Sequence, residues 1–152
     1  MTEDIEHRLF DELRGILPPG VEIMLPPRVF TELQGRVVDF VKHESVKMSF
    51  PALEQFAGPT GVYQGGIITA AFDTAFGCLA FVSTGHPVAT ISIETTFIRP
   101  VLTGVDTLIV EATMKAQTRS LAFLEGSAYN GDHKLVATAK STFTILHPRP
   151  AK

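Results

Sequence analysis

Gly65 and Gly66 open a long apolar run, and one carboxylate, Asp73, stands in its middle. The run continues through Ile67, Ile68, Ala70, Ala71, Phe72, Ala75 and Phe76, then through Cys78-Leu79-Ala80-Phe81-Val82. It predicts a helix that is apolar all round, and such a helix is normally buried. A carboxylate there is costly unless it is paired, hydrogen-bonded or used in chemistry. In chemistry it would serve as a nucleophile or a general base. The bland alternative is a structural aspartate that caps a neighbouring segment or pairs with a base. The start of such a helix supplies free N–H groups and the positive end of a dipole. Glycine there lets a ligand approach the backbone closely.

Other chemistries have little support in the chain. Its five histidines, His7, His43, His86, His133 and His147, are scattered and never fall at metal-ligand spacing. There is no Gly-x-Ser-x-Gly elbow and no phosphate-binding loop. One cysteine, Cys78, excludes an internal disulfide and reads as a small core hydrophobe. The net charge of -3 and the lack of a basic run speak against nucleic acid. Met1 to Glu6 is acidic and lacks a secretory apolar core. The central run carries Asp73 and begins with two glycines, so it is not expected to span a membrane. A soluble cytoplasmic protein is expected.

The 152 residues, 45% hydrophobic and 19% charged, suit one domain over residues 1–152. Ile5, Leu9, Phe10, Leu13 and Ile16 recur at helical spacing, so residues 1–17 hold an amphipathic helix, ended by Pro18-Pro19-Gly20. Arg36 to Phe50 reads as two strands turning near His43-Glu44. Pro51 to Val62 reads as a loop. After the central helix, Gly85-His86-Pro87 is a stop signal. Val88 to Ile98 alternates strictly, which puts Val88, Thr90, Ser92, Glu94, Thr96 and Ile98 on one face. Three more strands follow, with Asn130-Gly131-Asp132 as a hairpin turn. Residues 147–152 are expected to be a flexible tail. Consecutive strands on short turns imply an antiparallel sheet, wrapped around the central helix.

Three pieces carry a family resemblance: Gly61-Val62-Tyr63-Gln64-Gly65-Gly66, Asp73 at its spacing from the glycines, and Thr90-Ile91-Ser92-Ile93-Glu94-Thr95-Thr96-Phe97-Ile98-Arg99-Pro100. In this order they resemble the hotdog-fold acyl-CoA thioesterases of the phenylacetate-pathway type. The resemblance runs from about Val37 to Leu146 and implies an α+β hotdog fold with an extra N-terminal helix. It implies hydrolysis of an acyl-CoA to free acid and coenzyme A, with no metal or redox cofactor and coenzyme A entering only as part of the substrate.

On this resemblance Asp73 is the nucleophile or general base. The Gly65 amide, with Gln64, polarises the carbonyl. The Thr90 hydroxyl orients the carboxylate or holds water. Gly66 lies at the substrate, and Arg99, Arg119 and Ser120 are candidates for the coenzyme A phosphates. Two positions depart from the family: Gln64 replaces the usual histidine, and Gly58 replaces a polar Asn or Gln, leaving Gln55, Thr60 or a water to compensate. Eight helical residues separate Gly65 from Asp73, about 12 Å at 1.5 Å per residue. One chain therefore cannot apply both to one carbonyl, and the resemblance implies sites shared across a homodimer, with tetramers common. The rival readings are a non-catalytic acyl-CoA binder and a hotdog dehydratase. The dehydratase reaction relies on a histidine in the loop before the helix, and no histidine lies between His43 and His86.

Overall fold

A computed structural model describes residues 1–148. Two helices come first, α1 (Thr2–Ile16) and the short α2 (Arg28–Glu32), followed by strands β1 (Arg36–Val41) and β2 (Ser45–Pro51). A 3-10 turn at Glu54–Phe56 leads into the long helix α3 (Gly65–Thr84). Strands β3 (Val88–Phe97), β4 (Thr107–Gln117), β5 (Leu121–Tyr129) and β6 (Leu135–Ile145) complete the chain. They form one antiparallel six-stranded sheet in the order β1-β2-β4-β5-β6-β3. This is the hotdog arrangement that the family resemblance implied. Neither α2 nor the 3-10 turn was expected, since both lie in stretches punctuated by proline. Of the expected tail, residues 149–152 lie outside the described residues.

The sheet wraps α3 because its inner face is apolar and its outer face is not. Met48, Phe50, Leu108, Val110, Ala112, Leu124 and Phe143 are buried inward. Across the outer face, Lys47 lies between Asp39 and Glu111, and Lys140 lies between Glu94 and Glu125. Phe72 and Phe76 stack at 5.7 Å on the inward side of α3 and are fully buried. Each such ring contributes about 1.5–3 kcal/mol by leaving water. Gly126 of β5 permits the close approach: a Cβ there would stand 2.9 Å from the Glu111 carbonyl oxygen and 3.0 Å from the Phe76 ring.

Helix α3 is long and apolar enough to cross a membrane, yet half of it is buried within this chain, as befits a core helix. It stops at Gly85, whose φ of 73° and N–H bond to the Phe81 carbonyl (3.1 Å) form a left-handed cap. The expectation of a helix buried all round is corrected in one respect. Gly66 is exposed, and Thr69, Ala70, Asp73 and Gly77 are only half-buried. The sheet ends at β3, so none of the described residues forms a further strand over the flank of α3 beyond it.

Candidate active site

The cleft between α3 and the edge strand β3 gathers the central candidates. At its carboxylate end the Thr90 hydroxyl donates to Asp73 Oδ1 at 2.8 Å. Strict alternation groups Thr90 with Glu94 on one face, and Glu94 pairs with Lys140 on the outer face of the sheet. A β-bulge at Ile91 corrects that expectation. The register of β3 on β6 shifts between Thr90 and Ser92, so Thr90 opposes Phe143 while Ser92 opposes Thr142. The extra residue reverses the parity of everything before it. Thr90 thereby joins Ile93, Thr95 and Phe97 on the inner face and meets the helix. Asp73 is half-buried rather than sealed, and no basic side chain is paired with it among the described residues.

One turn back along α3, Thr69 donates to the Thr95 hydroxyl at 3.0 Å. At the amide end, Gly65 lies against Phe97, with a Cβ at 65 falling 3.0 Å from the ring. The three contacts set α3 antiparallel to β3: Gly65 by Phe97, Thr69 by Thr95, Asp73 by Thr90. The Thr69–Thr95 pair was not singled out from the sequence. Its only signal is the four-residue step from Thr69 to Gly65 on one side and to Asp73 on the other.

The amide end has unspent donors. The N–H groups of Gly65 and Gly66 donate to nothing among the described residues, as the first turn of a helix requires. Gln64 is the N-cap, but its side chain makes no capping bond. The preceding loop is pinned by Gly58 N–H to Val62 O (2.7 Å), Gln64 N–H to Phe56 O (3.0 Å) and a bridge pairing Ala57 with Tyr63. Val62, Tyr63, Gly65, Ile68, Phe97 and Arg99 line part of a cavity of about 390 Å3 at this end. The Tyr63 hydroxyl is buried with no partner among the described residues, and burial pushes its pKa up to about 12. Grooves of about 500 and 560 Å3 lie on the outer face of the sheet, among charged side chains and away from Asp73. They are gaps between the cross-strand ladders.

The arginine candidates are not brought together. Arg99 follows the end of β3 and donates to the Leu135 carbonyl at 2.7 Å. Arg119 and Ser120 lie between β4 and β5, beside Ile145 at the opposite end of the sheet. The nine steps along β3 between these ends span about 30 Å at 3.3 Å per residue. Nor do Gln55 or Thr60 stand over Gly58. The side chain nearest to it is Gln64, whose Oε1 would lie 2.8 Å from a Cβ at position 58. His86 and His147 meet edge to face at 4.7 Å just before the start of β3, a pairing the sequence did not suggest.

Comparison with known proteins agrees with this geometry. A model of the thioesterase superfamily matches residues 60–137, the segment that contains Gln64, Gly65, Asp73 and Thr90. The 3-hydroxyacyl-[acyl-carrier-protein] dehydratase FabZ of Escherichia coli is 33% identical over 146 residues, 91% of this chain and 93% of that protein. The PaaI protein of the E. coli phenylacetic acid degradation operon superposes with a TM-score of 0.79 at 16% identity, covering 94% of this chain and 96% of that one. A Streptococcus mutans protein solved with acetyl-CoA gives a TM-score of 0.70 at 19% identity, over 88% and 98% of the two chains. With the family's match over half its length, the hotdog architecture and a carboxylate hydrogen-bonded in the cleft, this chain belongs to the thioesterase superfamily.

Proposed function

We propose that this protein hydrolyses an acyl-CoA thioester to a free acid and coenzyme A. The observation that carries the reading is the Asp73–Thr90 contact of 2.8 Å, made by a half-exposed carboxylate that no cation neutralises among the described residues. As general base, Asp73 takes a proton from water as the water oxygen attacks the thioester carbon. As nucleophile, it attacks that carbon itself, and water then cleaves the mixed anhydride. In either route the charge grows on the carbonyl oxygen, the C–S bond breaks and the thiolate leaves to be protonated. The Gly65 N–H receives that charge, helped by the Gln64 amide and by the dipole of α3. Thr90 holds the carboxylate in its rotamer. The acetyl-CoA bound by the S. mutans relative supports the choice of coenzyme A as the thiol.

The site is completed by a second copy. Strand β3 is an unpaired edge of ten residues, with Ile91 and Phe97 more than half exposed. An open edge of this length invites another strand. Two-fold antiparallel pairing of β3 with its copy brings the Thr90 end of one chain to the Phe97 end of the other. Asp73 then faces the other copy's Gly65, with the axis beside Thr69, midway between them in sequence. The same operation carries the Arg99 end of one chain toward the Arg119 end of its mate.

The identity to FabZ favours a second reading, a dehydratase. Residues 57–64 hold no histidine, so the base for that reaction would have to be Asp73 alone. A third, binding without turnover, is favoured by the departures at Gly58 and Gln64. A screen of aliphatic and aromatic acyl-CoA thioesters and of 3-hydroxyacyl thioesters separates the three. The hydrolase reading expects thiol release that falls by about 100- to 10,000-fold in Asp73→Asn with the fold retained. Near-normal release by that variant would remove Asp73 from the mechanism. Tight coenzyme A binding with no release for any thioester would favour the binder.

A further inference from the structure

We infer that Gly58 is a positioning residue for Gln64: it lacks a side chain so that the Gln64 amide can stand over it and present its NH2 group to the substrate carbonyl. The inference rests on the hydrolase reading above and deepens it. Glycine is usually kept for backbone freedom or for close packing. Backbone freedom does not apply here, because Gly58 is absent from the positive-φ glycines, which among the described residues are Gly20, Gly61, Gly85 and Gly104. Close packing against the scaffold does not apply either. A Cβ at 58 would meet the Val62 carbonyl oxygen at an ordinary 3.6 Å. The one close approach is to Gln64 Oε1 at 2.8 Å, with Gln64 Cδ at 4.0 Å. The space that position 58 leaves open is therefore the space the Gln64 amide fills.

The amide lies there without being used up. Its carbonyl end faces Gly58, since the oxygen is closer than Cδ. Its NH2 carries two donors, and neither bonds to any of the described residues. The loop beneath is fixed by the Gly58–Val62 and Gln64–Phe56 backbone bonds. Gln64 adjoins Gly65, whose N–H also has no acceptor among the described residues, so successive residues carry unspent donors at the start of α3. A second donor beside a backbone N–H is what an oxyanion site requires.

The test is a double-mutant cycle on the intact protein with Gly58→Ala and Gln64→Ala, read by kcat and KM on the acyl-CoA the wild type hydrolyses, by melting temperature, and by the Gln64 side-chain NH2 signals in 15N NMR. The clash falls on the free end of a flexible side chain, so Gly58→Ala is expected to leave the melting temperature unchanged. It should move the Gln64 NH2 signals and lower kcat roughly tenfold, less than the loss on deleting an oxyanion donor, with little change in KM. In the Gln64→Ala background it should be silent. An equal fall in kcat in that background, or full kcat in Gly58→Ala alone, would overturn the inference. Absence of hydrolysis by the wild-type chain would instead defeat the hydrolase reading. Gln64 signals that stay put in Gly58→Ala would overturn the positioning claim whatever the turnover.

Discussion

The two ends of the α3–β3 cleft are built to different degrees. At the carboxylate end, one chain supplies both partners: Asp73 from the helix and Thr90 from the strand, joined at 2.8 Å. At the amide end, the N–H groups of Gly65 and Gly66 and the amide of Gln64 have no acceptor among the described residues. In the proposed dimer, a finished acid and an unfinished donor set, about 12 Å apart on one helix, are half of each of two sites. On the hydrolase reading proposed above, the contrast teaches that the free edge of β3 belongs to the chemistry as much as the side chains do, because a second copy across that edge would bring the ends together.

The largest effect short of removing the carboxylate should follow from breaking that edge. Ile91 is 58% exposed at the bulge, so Ile91→Lys adds charge to the edge without disturbing the core of the isolated chain. Sedimentation should show a folded monomer at nanomolar protein, with turnover reduced on the order of 100-fold and recovering as concentration rises, the mass-action behaviour of a shared site. A monomer with full turnover would erase the comparison. Next, Thr90→Val deletes one hydrogen bond at the finished end, a loss of about 1.5 kcal/mol or roughly tenfold in kcat, with KM little changed. An unchanged kcat would make Thr90 an ordinary strand residue.

Smaller effects fall on the scaffold and should spare both ends. Gly126→Ala forces a methyl group toward Phe76 and the Glu111 carbonyl, and should cost about 1–3 kcal/mol in denaturant unfolding at nearly normal kcat. Alkaline pH should act last. Burial raises the Cys78 thiol from 9.0 and the Tyr63 phenol from 10.0, each to about 12. The neutral forms are thus favoured in the folded chain. Their contribution is whole below pH 9 and 10 respectively and is lost as the pH climbs through about 12. Urea midpoints should hold flat to pH 9 and fall above it, and a flat profile to pH 12 would contradict the burial of both groups.

Much of this was legible in the residues. Apolar period marked α1, the glycine pair and Gly85 bracketed α3, and Asn130-Gly131 marked the last hairpin. Asp73, Gly65 and Thr90 were singled out and fall in one cleft. What stayed hidden follows from register and space. No alternation rule reveals a bulge, so the pattern groups Thr90 on one face with Ser92 and Glu94, whereas it shares the inner face with Ile93 and Thr95. Asp73 read as buried because a hydropathy pattern does not show where a sheet stops. Gly58 read as a missing donor because the reach of Gln64 over it depends on a loop closed by long-range backbone bonds. Arg99 and Arg119 were candidates for the coenzyme A phosphates, and sequence does not show that they lie at opposite ends of the sheet.

Complementation between two damaged chains tests the shared site most directly. Gly65→Pro removes the amide donor at the first helical position, where proline is tolerated, although the Phe97 ring must give way slightly. Asp73→Asn removes the acid. Each protein alone should be nearly inactive. Mixed in equal amounts and allowed to exchange, half of the dimers become hybrids with one intact site of two, so turnover should recover to about one quarter of the wild-type value. A mixture no more active than the sum of its two components, with hybrids shown to form, would contradict a site built from two chains.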